Sequence, residues 1–473
     1  MKRLKYLLKN IGILSLSQFG TKLLSFFLVP LYTNILTTED YGKFDLISTT
    51  VLLLVPLLTI DIGNAALRFA LSDEEKKEDI FTISYHVVLA GNVIVFLGLF
   101  INWFFCFNQV IHDYSVFMFF MFFFSSFSSI FVSFSRGTEK IKEVAISGVL
   151  CTVVMISLNI LFLVILKWGL VGFFIAHISA SSAQAIYLFI SCSYYKYING
   201  TNDKKLRKQM INYSRPMVAN SIAWWVNNAS DRYIVIWFCG LAVNGVYSVG
   251  YKIPSILMVF QTIFNQAWTL SAVKDFDPDD KEGFFSKLYG LYNFGMVALC
   301  SLLILASKIM AGFLYHKEFY HAWKYVPFLL ISIVFGSLSG YIGGIFTAVK
   351  DSKIFARSTV VGAVVNILLN LLFVNIIGAL GAAIATAISY MVVWIIRMIN
   401  SRKYIKLRLN MIRDVISYIL LVVQAVVLLF VTENIILLYI LESVILILII
   451  VLYNKELRDI FNKLRSIAKM QYN

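Results

Sequence analysis

Charged side chains are scarce in this sequence. Asp, Glu, Lys and Arg make up 14% of its 473 residues, where soluble chains carry about 25%. Too little polar surface is left to coat a water-soluble body, and a mean hydropathy of +0.80 points the same way. Cysteine is sparse as well. The five residues Cys106, Cys151, Cys192, Cys239 and Cys300 lie far apart, in or near apolar runs. That spacing excludes a disulfide framework and a zinc cluster, and the thiols read as small membrane hydrophobes. Long polar loops are missing, so there is no room for a soluble catalytic domain and no enzyme activity is expected. The acidic stretch Asp275, Asp277, Asp279, Asp280, Glu282 lacks the glycine and glutamate positions of a calcium loop. It reads as a solvated cytoplasmic turn. Acids are also outnumbered, 26 against 41 Lys and Arg, for a net charge of +15. In a soluble protein that excess would suggest nucleic acid. Here the distribution of basic loops about a membrane explains it, and no nucleic-acid partner is expected.

Long apolar runs are abundant. Fourteen spans of about 22 residues suit a bilayer. They are predicted over 11–36, 44–68, 81–105, 114–135, 144–166, 170–194, 212–238, 243–272, 284–313, 324–348, 354–373, 376–399, 412–431 and 434–453. The basic start MKRLKYLLKN precedes a run too long for a signal peptide and without a small-x-small cleavage site. It reads as a first transmembrane helix entering from the cytoplasm. With the N-terminus inside, the inner segments hold 33 of the 41 Lys and Arg and the outer ones five: Lys43, Lys167, Lys308, Lys317 and Lys324. Such a bias puts both termini in the cytoplasm.

An internal repeat organises the spans. Asn159-Ile-Leu-Phe162 followed by Gly169-Leu-Val-Gly172 matches Asn370-Leu-Leu-Phe373 followed by Gly378-Ala-Leu-Gly381. Glu39-Asp-Tyr-Gly42 similarly matches Val243-Asn-Gly245. Spans 1–6 and 7–12 thus read as two copies of one unit, in the same orientation because six is even. That is a parallel repeat, suited to two lobes rocking over a cavity. The predicted organisation is an N-terminal six-helix lobe over 1–200, a second over 201–400, and a helix pair with a tail over 401–473.

Polar groups inside the spans point to chemistry. A charge at mid-membrane costs about 2.5–3.5 kcal/mol on insertion scales, so it is retained beside water, a partner or a ligand. Lys22 lies roughly 17 Å from the inner end of its span at 1.5 Å per residue. It shares a stripe with Ser15, Gln18 and Ser25. Asn220, Trp224, Asn227, Asn228 and Asp231 form one face of the seventh span, with Arg232 adjacent and Asp231 its nearest counter-charge. Lys252 lies inside the eighth span, and Arg68 ends the second, with Asp61 behind it. Clustered buried cations call for an anion, and phosphate or pyrophosphate suits ammonium and guanidinium groups. Asn227, Asn228, Asn265, Gln266 and Trp224, together with Gln261 and Trp268, supply amides and flat apolar faces for sugars. Asp61, Asp231 and Glu442 are candidates to bind a coupling proton or sodium ion. Glu442 is also placed to bond Gln424, and Asp61 to pair with Arg68.

Several segments carry a family likeness: Leu16-Ser-Gln-Phe-Gly20 through Pro30-Leu-Tyr-Thr-Asn34, Leu36-Thr-Thr-Glu-Asp40-Tyr-Gly-Lys-Phe-Asp45, Asp61-Ile-Gly-Asn-Ala-Ala-Leu-Arg68, Asn228-Ala-Ser-Asp231-Arg232-Tyr and Gly245-Val-Tyr-Ser-Val-Gly-Tyr-Lys252. Over residues 1–453 the chain resembles the polysaccharide or O-antigen flippases of the multidrug, oligosaccharidyl-lipid and polysaccharide exporter superfamily. The resemblance implies a fourteen-helix, two-lobe transporter in the bacterial cytoplasmic membrane. It implies that undecaprenyl-diphosphate-linked oligosaccharide is turned from the inner to the outer leaflet by ion-coupled alternating access. A proton or sodium gradient would drive it, with no bound cofactor. Lys22, Arg68, Arg232 and Lys252 would be its diphosphate-binding cations. Expected partners are the lipid-linked oligosaccharide diphosphate, membrane lipids and polysaccharide polymerase machinery, with the protein a monomer. The competing expectation is an ion-coupled multidrug exporter of the same fold, which favours acidic cavity residues.

Overall fold

The computed structural model describes residues 26–72, 75–274, 276–349, 351–431 and 434–458, with side chains except at Gln266, Leu270 and Ser352. Every regular element among the described residues is a helix. They group into two compact units. The first runs through Ile236 and includes Gly240–Gly245; the second comprises Trp237–Cys239 and the residues from Val246 onward.

In the first unit come α1 (Val29–Ile35), α2 (Thr38–Leu58), α3 (Ile62–Ala70), α4 (Lys77–Phe105) and α5 (Ser115–Gly137). Then follow α6 (Ile141–Asn159), continued by a π-helical stretch (Ile160–Ile165), α7 (Gly169–Ser191) and most of α8 (Lys204–Cys239). The short α9 (Leu241–Gly250) begins in this unit and ends in the next. The second unit continues with α10 (Pro254–Lys274), α11 (Phe284–Leu314), α12 (Val326–Ala348), α13 (Ser352–Ile377) and α14 (Ala379–Ser401). It ends with α15 (Met411–Phe430) and α16 (Ile435–Leu452).

Twelve of the described helices are long and apolar enough to cross a membrane. The chain is an all-α, multi-pass membrane protein. The remaining two predicted spans differ in kind. Most of 11–36 lies outside the described residues, Lys22 and Gln18 included. The seventh span is α8, which is 36 residues long and carries enough Asn, Asp and Arg to fall outside the twelve.

Two predicted helices are broken. The 44–68 span divides into α2 and α3 at Thr59–Asp61, where Ile60 and Asp61 have φ of 53° and 49°. Pro56 has no N–H to continue the ladder, and the Asp61 N–H instead reaches back to the Pro56 carbonyl at 2.9 Å. The 243–272 span divides at residues 251–253, just before Pro254, which opens α10. Proline disfavours helical geometry in the residue before it but fits a first helical turn.

The start of α2 follows from its sequence. Thr37 accepts the Asp40 N–H at 3.1 Å, and the Asp40 carboxylate accepts from Thr37 in return. This reciprocal cap satisfies donors that the first turn leaves open. One turn on, Gly42 meets α9. A Cβ on Gly42 would collide with the Leu241 carbonyl, and one on Gly245 with the Thr38 carbonyl. The contact is reciprocal, and each residue stands 203 positions from its counterpart.

The two segments matched in sequence also share local geometry. The Asn159 and Asn370 side chains both donate to the carbonyl four residues earlier, at 2.7 and 2.8 Å. Gly169 and Gly378 both take positive φ, 56° and 66°. A Cβ on Gly172 would strike Phe162, and one on Gly381 would strike Phe373. The first copy has two more residues between its phenylalanine and its glycine, and that is where the backbone widens to a π-helix.

Within the second unit α12 is the central post, 94% of its apolar window being buried, as expected of a helix hydrophobic on every side. A polar network ties α15 and α16 to α11. The Asn293 amide donates to the Tyr453 hydroxyl at 2.9 Å, which donates to Asp414 at 3.0 Å. The Tyr418 hydroxyl donates to Asn293 at 3.1 Å, and Arg413 pairs with Asp414 and Glu456.

Candidate functional site

The first unit holds a cavity of about 710 Å³, within the range of small-molecule sites. Its apolar wall comes from α2 and α3, through Val51, Leu52, Val55, Pro56 and Ile62, with Val88, Met121 and Ile130 opposite. The polar wall has four sources. The α2–α3 break presents Asp61, α5 presents Ser125, Ser126 and Ser129, and α8 presents Asn220, Ser221, Trp224 and Trp225. Ser181 and His177 come from α7.

Local structure explains why these groups face inward. On an unbroken helix Asp61 and Arg68 would share a face, as their seven-residue spacing predicts. The break rotates Asp61 away. Its Oδ2 accepts a hydrogen bond from Ser221 at 2.9 Å, and its main-chain carbonyl accepts from Ser214 at 3.3 Å. Arg68 is exposed at the end of α3 and makes no ion pair with Asp61, so the expected pairing is corrected. Successive residues in the left-handed region are costly outside glycine. Gly63 then lets α3 approach α5, where a Cβ would come within 3.1 Å of Ser133 Oγ.

Hydrogen bonding within the cavity is incomplete. Among the described residues, Asp61 Oδ1 and the side chains of Ser125, Ser129, Ser181 and Asn220 have no protein partner. Trp224 is 51% exposed, whereas the Trp225 indole N–H is held by the Thr49 carbonyl at 3.0 Å. Among the described lining residues Asp61 is the single acid, and there is no Lys or Arg.

The predicted cations that lie among the described residues, Arg68, Arg232 and Lys252, are not on this lining. Arg232 reaches across to α2 and pairs with Asp45 at 3.0 Å, the two side chains being 18% and 8% exposed. The same guanidinium donates to Thr49 Oγ1 at 3.0 Å, and the Asn244 amide donates to the other Asp45 oxygen at 3.1 Å. Asp231, expected as the local counter-charge, accepts the Arg232 backbone N–H at 2.9 Å. Asp45 was not expected as a partner because it stands 187 residues away. Lys252 lies in the turn between α9 and α10 and is half-buried.

The remaining predicted residues divide similarly. Asn227 and Asn228 donate to carbonyls of their own helix, at 2.8 and 2.7 Å. Asn265 packs against Gly340 of α12, and the side chain of Gln266 is outside the described set. Trp268 is a core residue, stacked 4.1 Å from Tyr341 with its N–H on the Tyr341 carbonyl. Glu442 is fully buried. It lies near Gln424 and faces Lys308, while the Gln424 amide donates to the Ser301 carbonyl at 3.1 Å.

Arg397 is the buried cation that sequence reading missed, having been counted with the inner loop. It is 5% exposed. It donates to Ser358 Oγ, the Ser339 carbonyl and Thr359 Oγ1, each at 2.9 Å, and stacks on Phe355 at 4.0 Å. All of these partners are neutral. The serines of α5 were also missed. Their signal was the four-residue spacing of Ser125, Ser129 and Ser133 within a phenylalanine-rich run.

Comparison with known proteins adds a context to this geometry. A family model described as polysaccharide biosynthesis protein matches residues 7–271. A curated relative from Haloferax volcanii, "Probable low-salt glycan biosynthesis flippase Agl15", is 26% identical over 193 residues. That match covers 40% of this chain and 40% of the relative's length. Among solved structures, an inward-facing multidrug resistance MATE family transporter of the MOP superfamily superposes with a TM-score of 0.69 at 14% identity, covering 81% of this chain and 94% of that one. The lipid II flippase MurJ, in an inward closed conformation, gives 0.68 at 14% identity, covering 94% and 99%. At these identities the likeness is one of fold.

Proposed function

Because the chain belongs to the polysaccharide biosynthesis protein family, whose model matches more than half of it, we propose that it is a flippase for lipid-linked oligosaccharide. The substrate is a polyprenyl-diphosphate-linked glycan, turned from the cytoplasmic to the outer leaflet by alternating access coupled to a proton or sodium gradient. No covalent chemistry is involved. The observation that carries this reading is the cavity: a membrane-embedded space lined by hydroxyls, an amide, an indole and one carboxylate. Such a lining suits a polar headgroup. The reciprocal Gly42–Gly245 contact and the matched Asn–Gly segments support two copies of one six-helix unit.

In this reading Lys22, Lys252 and Arg68 hold the diphosphate, as point charges and a guanidinium suited to phosphate oxygens. Arg232 is left to the fold, since Asp45 already neutralises it. A second reading, an exporter of organic cations, is favoured by one feature, the lone Asp61 carboxylate in a cavity whose described lining has no Lys or Arg. Surface glycan measured in cells carrying Lys22→Ala and Lys252→Ala separates the two. Loss of glycan at normal membrane abundance supports the flippase. Normal glycan in those variants, together with resistance to lipophilic cations lost in Asp61→Asn, supports the exporter.

A further inference from the structure

Between α11, α15 and α16 of the second unit, three acceptor oxygens have no donor among the described residues. Glu442 of α16 is fully buried, and both of its carboxyl oxygens lack a partner. Gln424 of α15 is buried as completely. Its amide nitrogen is committed to the Ser301 carbonyl of α11 at 3.1 Å, and its Oε1 is unpartnered. The buried Ser301 hydroxyl has no partner either. A carboxylate and an amide oxygen cannot donate, and an ionised carboxylate in such a setting is costly. The other two candidate acids differ: Asp61 accepts from Ser221, and Asp231 from the Arg232 backbone.

Charged and titratable groups near Glu442 are few among the described residues. From α11, Lys308 faces it, but the ammonium stands over the Trp323 ring at 4.3 Å. Tyr439, one turn back on α16, lies within electrostatic reach of Glu442 and of Tyr320. From α15 comes the neutral Gln424. Arg413 and Asp414 of that helix lie roughly 17 Å away along its axis, where Arg413 pairs with Asp414 and Glu456.

We infer that Glu442 is a proton-binding site of the second unit, with Lys308 as the cation that takes the proton's place. A proton on Glu442 makes it a donor toward Gln424 Oε1 and removes its charge. When the proton leaves, Lys308 swings from the face of Trp323 to the carboxylate. The flexible stem of lysine permits that movement, and a ring face is a weaker partner than a carboxylate. A protonated carboxyl carries no charge for Lys308 to repel, whereas a sodium ion held there would face it as a second cation. In the predicted topology Lys308 and Glu442 each stand roughly 10 Å from the outward ends of their helices, so the proton enters from outside. This deepens the coupling part of the flippase reading and rests on it for what the proton drives.

The proton itself is the probe. Infrared difference spectra are recorded on the full-length protein in vesicles of phosphatidylcholine and phosphatidylglycerol, in potassium buffers stepped from acid to alkaline. The native protein is expected to lose a carboxylic-acid C=O band that Glu442→Gln lacks. In Lys308→Gln the band should persist to a proton concentration about tenfold lower, because no cation replaces the proton. Gln424→Leu removes the acceptor and should shift the frequency of the same band, which identifies it if Glu442→Gln is not monodisperse. A Glu442 signal that does not change with pH marks a permanently neutral or permanently ionised acid and overturns the inference. A band displaced by sodium at constant pH overturns it too, in favour of a metal-ion site. The role is read in the same vesicles, from exposure of a fluorescent polyprenyl-diphosphate oligosaccharide to an external lectin with and without an imposed pH difference. That difference is expected to speed the native protein several-fold and Glu442→Gln not at all. Equal speeding of Glu442→Gln overturns the coupling role and leaves the flippase reading intact. Native protein that exposes no glycan in either condition overturns the flippase reading, while the spectra still decide the proton site.

Discussion

Arg232 and Asp45 join two helices that are remote in sequence, and each removes the other's charge from an apolar setting. A buried pair loses about 3–5 kcal/mol when one partner is deleted, because the other charge is left uncompensated. Asp45→Ala and Arg232→Ala are therefore each expected to lower the unfolding temperature markedly. Arg232→Met with Asp45→Leu should recover much of the loss, as paired apolar replacement often does. Thermal unfolding in detergent micelles, followed by tryptophan fluorescence, measures this. If Arg232→Ala unfolds like the native protein yet fails in transport, the residue belongs to the substrate after all. Arg397 poses a related case with neutral partners. Its guanidinium bonds Ser358, Ser339 and Thr359 from separate nitrogens, a fork that an ammonium cannot reproduce. Arg397→Lys is expected to reduce membrane abundance almost as far as Arg397→Ala, as measured by quantitative immunoblotting. Near-native abundance of the lysine variant would show that charge alone suffices there.

Helices carry the next set of consequences. Gly42 and Gly245 let α2 and α9 touch backbone to backbone, and the contact is the same from either side. Either side chain would separate the pair, after which the second has nothing left to strike. Gly42→Val and Gly245→Val should therefore produce equal defects, and the double variant should be no worse than either single one. Such non-additivity is the mark of residues in direct contact. Glycan display measured for all three variants reads it, and additive losses would place the two glycines in separate contacts. Much of this level was legible beforehand. Apolar runs and basic flanks dictate where helices lie, because lipid demands internally bonded backbone. The breaks at Ile60–Asp61 and before Pro254 were not seen. In a run already apolar throughout, hydropathy is insensitive to a single turn of distorted backbone. Pro254 and Pro56 were the available signals.

At the scale of the whole molecule, the cavity is assembled from α2, α3, α4, α5, α7 and α8, and its serines are scattered over more than a hundred residues. Asp61, Asn220 and Trp224 could be picked out because each is anomalous in an apolar run. Single serines are not anomalous there, since a helix satisfies them by back-bonding, as Ser126 does to the Phe123 carbonyl. Nor could sequence spacing join Arg232 to Asp45. The central claim is movement of a lipid-linked glycan gripped through its diphosphate by Lys22 and Lys252. Its most direct test is a proteoliposome assay with a fluorescent polyprenyl-diphosphate oligosaccharide in the inner leaflet, scored by the fraction that becomes accessible to an external lectin. The native protein is expected to expose the glycan under an imposed ion gradient, and the Lys22→Ala, Lys252→Ala double variant to do so at least about tenfold more slowly. Native protein that exposes no glycan, or a double variant as fast as native, would contradict it.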